Sequence, residues 1–186
     1  MNDIRKPKSF GSASSAATST SMTPKQIRLI NQSFALMSPK ADAIPRIFYN
    51  RLFQLEPALR KMFPESLEEQ GRKLMQMIGT AIGLLGRADQ LIPALEALGR
   101  RHAGYGVQDE HYETVGTALL WTFEQELGPA FTPDVREAWT QLYVIVATTM
   151  REAATPQLAA SAEDSYADET QEHRPNEANS DFNIRS

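Results

Sequence analysis

The chain has 186 residues, enough for one domain with a substantial core, and carries 19 basic against 23 acidic side chains for a formal net charge of −4. Without a run of Lys or Arg it lacks the concentrated positive charge that phosphate backbones require, which excludes a nucleic-acid-binding surface. It has no cysteine, so disulfide scaffolding and thiolate chemistry are excluded, and no apolar stretch reaches the length that spans a membrane. The charged start, Met1-Asn2-Asp3-Ile4-Arg5-Lys6-Pro7-Lys8, leads into Ser, Ala and Thr rather than an apolar segment. No secretory signal is therefore expected, and a cytoplasmic location is.

Residues 9–21 are almost entirely Ser, Ala, Thr and Gly, too small and polar to bury a face, so 1–22 is expected to form a disordered arm. Helix-start signals follow in series. Thr23-Pro24-Lys25-Gln26 combines an N-cap, a proline at the first helical position and a Gln at the capping-box position. Ser38-Pro39 repeats the cap and the proline, and Pro45 within the helical stretch 39–55 requires that this helix either kinks or starts late. Ser66-Leu67-Glu68-Glu69 reads as a second capping box. Behind it Leu67, Gln70, Leu74, Met77, Ile78, Ala81 and Leu85 recur at three- and four-residue intervals, a stripe that is apolar except at Gln70. A further helix closes on Leu98-Gly99-Arg100-Arg101-His102 before a glycine corner, another runs from about Asp109 to Gly128-Pro129, and the last starts at Thr132-Pro133 and ends towards Pro156. No alternating β-branched run suggests a strand. The segment 155–186, rich in Ala, Ser, acidic residues and Pro, is expected to be a disordered tail, which leaves 23–154 as one all-α domain.

The chemistry of this domain converges on His102. Only two other histidines occur, at 111 and 173; the first is expected to be exposed and the second lies in the tail. A single imidazole cannot hold a bare zinc ion, which takes about four ligands. It can be the only protein ligand of an iron whose other positions a porphyrin fills. A histidine that caps a helix C-terminus is the alternative on pattern alone.

Several ordered motifs narrow these alternatives. Leu52-Phe53-Gln54-Leu55-Glu56-Pro57 with Phe63, Arg72-Lys73-Leu74-Met75, the segment from Leu98 to His102 with Tyr105-Gly106-Val107, His111-Tyr112, Val115-Gly116, Leu127-Gly128-Pro129-Ala130-Phe131-Thr132 and Ala138-Trp139 run along the domain. Together they resemble the single-domain bacterial haemoglobins, relatives of the flavohaemoglobin globin domain and of neuroglobin. The resemblance implies the globin fold, a three-on-three helical sandwich, and haem b (iron protoporphyrin IX) as cofactor.

It also implies roles for individual residues. His102 becomes the iron ligand, and donation of its other ring N–H to a backbone carbonyl would fix its orientation. On the opposite face the match places Tyr49, Phe63, Gln70 and Leu74 around the bound gas. Bound O2 takes on partial negative charge, which the Tyr49 hydroxyl and the Gln70 amide would stabilise as donors. Leu74 would supply an apolar wall and Phe63 would pack on the porphyrin plane. Val107 and Val115 would line the haem slot, and Lys73 and Arg101 would reach its propionates. With Gln at position 70, bis-histidine ligation through that residue is excluded. Two donors should make O2 release slow.

On the His102 side, flavohaemoglobins carry a Tyr and a Glu that push electron density towards the iron. Tyr112 stands at the expected spacing, whereas the place of the Glu falls near Thr155-Pro156, with Glu152 about one turn early. The implied function is reversible O2 binding, with NO dioxygenation where an external reductase restores the iron; O2, NO and CO are the implied gas ligands. The alternative is a haem-based gas sensor or an interaction module without catalysis. Met75, Met77, Trp121 and Trp139 read as core.

Overall fold

The computed structural model describes the backbone of residues 22–171 and the side chains of 22–155. Residues 1–21 and 172–186, which include most of the expected arm, the end of the expected tail and His173, lie outside the described residues. Six α-helices follow one another: α1 (Pro24–Met37), α2 (Ile44–Leu55), α3 (Glu68–Gly83), α4 (Ala88–Gly104), α5 (Asp109–Leu127) and α6 (Pro133–Gln171). Short 3₁₀ turns occupy Ser38–Lys40, Pro57–Met62 and Gly128–Ala130. The described residues contain no strand, in line with the expected all-α class.

The helix starts show where local chemistry prevails and where packing overrides it. At α1 the Thr23 hydroxyl accepts from the Gln26 N–H at 3.2 Å and the Gln26 side chain accepts from the Thr23 N–H at 2.8 Å, the expected reciprocal box. The second helix starts late: Ser38-Pro39 forms only a 3₁₀ turn, and Pro45 falls in the first turn of α2, where its missing N–H costs nothing. The expected box at Ser66 does not form. Leu67 occupies the N-cap position of α3 without a side-chain cap, because its side chain is drawn into an apolar cluster. Glu68 and Glu69 instead pair one turn onward with Arg72 and Lys73, at 2.9 and 2.7 Å. The last helix also departs from expectation: its backbone passes Pro156 and stays helical to Gln171. The alanines at 153, 154, 159, 160 and 162 favour helix on both sides of the proline.

Three apolar clusters hold these helices together. The largest joins α1, α5 and α6 through Ile30, Met37, Phe123, Val135, Trp139 and Leu142. Trp139 is buried there as expected, its ring 4.4 Å from that of Phe123 and its indole N–H donating to the Ser33 hydroxyl at 2.9 Å. Trp121 is only half-buried, and the Arg51 guanidinium stacks 4.9 Å from its ring centre. The second cluster is built from α2 and its neighbours (Phe48, Tyr49, Leu52, Leu59, Ala118), and the third from α4, α5 and α6 (Leu91, Leu95, Tyr112, Ala147, Met150). With α1 and α4 packed on α6, α2 on α5, and α3 against α1 and α2, the arrangement is the three-on-three helical sandwich.

Two glycines make the closest crossings. A Cβ on Gly99 of α4 would lie 2.2 Å from the Met150 carbonyl oxygen of α6, and one on Gly116 of α5 would lie within 3.0 Å of three Tyr143 ring carbons. Backbone cannot move aside as a flexible side chain can. Gly99→Ala is expected to force α4 off α6 and to lower stability by about 2 kcal/mol or more, measurable as a shifted urea midpoint at unchanged m-value.

Candidate haem site

Between the second and third clusters lies a cleft of about 680 Å³. It exists because α3 and α4 do not close on one another: the stripe of α3 that the sequence marks out faces open space, and Met77 within it is 37% exposed. The expected site residues Tyr49, Phe63, Gln70, Lys73, Leu74, His102, Val107, Tyr112 and Val115 all line this one cleft, although they come from four helices and two connections.

His102 sits in the last turn of α4. Its Nδ1 lies 3.0 Å from the Leu98 carbonyl oxygen one turn earlier, so the ring donates there from Nδ1 and keeps Nε2 as the unprotonated nitrogen. Burial pushes the imidazole below its ordinary value; the Leu98 carbonyl opposes this and the neighbouring Arg101 charge reinforces it. The neutral ring is the form that ligates a metal.

The opposite wall is aromatic. Tyr49, Phe53 and Phe63 form a triangle with ring centres 5.4 to 6.0 Å apart, and Phe48 meets Tyr49 edge-on at 5.0 Å. Tyr49 is 3% exposed, and the Gln70 side chain stands next to its hydroxyl. Burial pushes the phenol up to about 12, with the neighbouring Gln70 side chain pulling in the other direction. The buried phenol keeps its proton beside the half-buried amide, with Leu74 one turn beyond Gln70.

The His102 side carries Tyr112, and no carboxylate joins it in the lining of the cleft among the described residues. Ala154 is buried and Glu152 is exposed, so the side chain one turn early does not reach the cleft; among the described residues no Asp or Glu lines it. The Tyr112 carbonyl accepts from the Tyr143 hydroxyl, and the nearest charges acting on the Tyr112 phenol are Asp109 and Arg151, a pair 3.9 Å apart. The sequence does not single out Tyr143, whose contact with Tyr112 crosses 31 positions. His111 differs from expectation as well: it is half-buried at the cleft, and its Nδ1 accepts from the Gln108 N–H at 3.0 Å, which caps α5. Lys73 and Arg101 are the two lysine or arginine side chains in the lining; Lys73 also pairs with Glu69.

This donor set fits one class of group. Among the described residues no three His, Cys, Asp or Glu side chains converge on a point that could hold a metal ion. One free imidazole nitrogen, two long apolar walls and cations at the rim instead suit a flat apolar macrocycle that brings four ligands of its own and two carboxylates. The globin family model matches residues 46–150, more than half of the chain.

This chain belongs to the globin family. Haem is its cofactor. The globin is 30% identical over 137 residues to a flavohemoprotein of Xylella fastidiosa, covering 72% of this chain and 34% of that protein, and 30% identical over 126 residues to the flavohemoprotein of Bacillus subtilis, covering 66% and 32%. It therefore spans about a third of the length of these curated relatives. Among solved structures it superposes on an engineered carbene transferase derived from a nitric oxide dioxygenase-like protein of Rhodothermus marinus, with TM-score 0.68 and 25% identity over 76% of this chain and 99% of that one. No helix among the described residues is long and apolar enough to cross a membrane.

The Tyr49 environment has a measurable alkaline consequence. Its folded value lies above the ordinary 10.0, so its contribution to stability is complete below pH 10 and is lost as the pH rises towards about 12. Tyr49→Phe is expected to flatten the fall of the unfolding midpoint over that interval; an unchanged slope places the lost stability elsewhere.

Proposed function

We propose that this globin binds O2 reversibly, releases it slowly, and dioxygenates NO to nitrate when a separate reductase supplies one electron per turnover. The supporting observation is that Tyr49 and Gln70, two neighbouring donors, line the same cleft as His102. Haem, when bound, would supply the redox-active iron at which a diatomic gas is held. His102 would anchor it through Nε2, Phe63 and Leu74 would pack on the macrocycle with Val107 and Val115 at its edges, and Arg101 and Lys73 would meet its carboxylates. Tyr49 and Gln70 would donate to the charge that gathers on the gas, from a largely apolar wall in which such donors count for more than in water.

The R. marinus protein is a nitric oxide dioxygenase-like globin and the curated relatives are flavohemoproteins. Both favour O2 and NO chemistry over simple storage, and the second favours a flavin-containing electron donor. The cleft wall free of carboxylates on the His102 side argues against strong peroxidase-like activation. Under this reading residues 23–154 are the functional unit, working in the cytoplasm, with the segments on either side outside the chemistry.

Absorption spectra of the purified protein, with dithionite and then CO, test the first step. A Soret band that is lost in His102→Ala supports it, and a colourless protein after haem reconstitution refutes it. Each charge-assisted donor contributes roughly 1.5 to 3 kcal/mol, so Tyr49→Phe and Gln70→Leu should each release O2 about tenfold faster or more. Aerobic NO consumption no faster than the protein-free reaction, with reductant present, removes the dioxygenase part of the proposal.

A further inference from the structure

The connection between the 3₁₀ turn and α3 is only five residues long, 63–67, and carries Phe63 and Leu67 into the cluster around Tyr49. Neither end is secured by the device the sequence suggests: Ser66 caps nothing and α3 starts at the uncapped Leu67. Arg60 fills that role. Its Nη1 donates to the Phe63 carbonyl at 3.1 Å and to the Pro64 carbonyl at 3.0 Å, and its Nη2 donates to the Glu65 carbonyl at 2.9 Å. The same guanidinium stacks 5.6 Å from the centre of the Phe53 ring, and the Arg60 carbonyl accepts from the Phe63 N–H at 3.3 Å.

We propose that Arg60 is a positioning residue for the gas-binding wall: its guanidinium gathers three successive carbonyls and Phe53, and so sets where Phe63 stands and at what angle α3 delivers Gln70 to Tyr49. The planar fork suits this because its donors radiate in fixed directions, whereas an ammonium is a single point from which the three carbonyls cannot be gathered in one plane. The coupling is short. Phe53 and Phe63 touch each other and both touch the Tyr49 ring, with centres 5.4 to 6.0 Å apart. A connection of five residues has little slack, so a shift of Phe63 is passed to the first turn of α3, and Gln70 is the third residue of that helix. Arg60 itself does not line the cleft, so its effect on a bound gas is exerted through these neighbours.

The inference rests on Tyr49 and Gln70 acting as donors to the gas, and its test separates the two ideas. CO added to the dithionite-reduced, haem-loaded protein serves as the probe, because its stretching band reports the donors it meets. In Arg60→Met a second band should appear at higher frequency, O2 release should quicken by about fivefold, and Arg60→Lys should recover part of the change. A wild-type band with O2 release within about twofold of the parent overturns the proposal. If Arg60→Met does not fold, Arg60→Gln is judged by the same criterion. Tyr49→Phe and Gln70→Leu are the controls: should neither move the band, the donor reading fails, and Arg60 is then judged by amide exchange over residues 63–71. Exchange there as slow in Arg60→Met as in the parent overturns the positioning role.

Discussion

The approach of α4 to α6 at Gly99 and Met150 governs much of this molecule. A helix can be held against another so closely only where one side chain is a hydrogen, and here the contact is with the opposing backbone. It fixes α4 along its last turns, and His102 lies less than one turn beyond Gly99. The Leu98 carbonyl that orients the imidazole is the neighbour of the same glycine. Place of the helix, tautomer of the ring and direction of the free nitrogen thus follow from one crossing. Gly116 repeats the device on α5, where it admits the Tyr143 ring and lets that hydroxyl reach the Tyr112 carbonyl.

The two walls of the cleft are built differently. The His102 wall is held by helix-to-helix packing and by a backbone hydrogen bond, so its geometry is a property of long, regular elements. The Tyr49 wall is an aromatic triangle closed by a five-residue connection, and hydrogen bonds from one arginine hold that connection. Regular helices tolerate surface change well. A short connection does not, so the geometry of the Tyr49 wall is most exposed to changes around residues 60–67.

Much of this was legible in the sequence, for physical reasons. Capping at Thr23, proline at the start of α6 and the glycine that ends α5 act within a few residues, and those local signals survived folding. His102 and Gln70 stood out because an imidazole before a glycine corner, one of three in a chain without cysteine, and an amide on an apolar stripe are chemically conspicuous, whereas Tyr49 was marked only by the family resemblance. The failures share a cause as well. Ser66 lost its cap because Leu67 was claimed by a distant cluster, and α6 ran past Pro156 because its alanines favoured helix on either side. His111, expected to be exposed, was drawn into capping α5. Arg60 and Tyr143 were invisible because they donate to backbone carbonyls, and a carbonyl is present at every position. Such a partner leaves no pattern in the residue types.

Among the described residues four large apolar side chains are conspicuously exposed, and three of them, Met62, Met77 and Tyr105, line the cleft. The hydrophobic interior is therefore divided by a gap that no side chain among the described residues fills. A ligand that enters only the folded state adds RT ln(1 + [L]/Kd) to stability, so here the cofactor acts as the missing piece of core. Persistence of the folded protein is thereby tied to the concentration of free haem. Loading the cleft would therefore raise the unfolding midpoint, and stripping the cofactor would lower it.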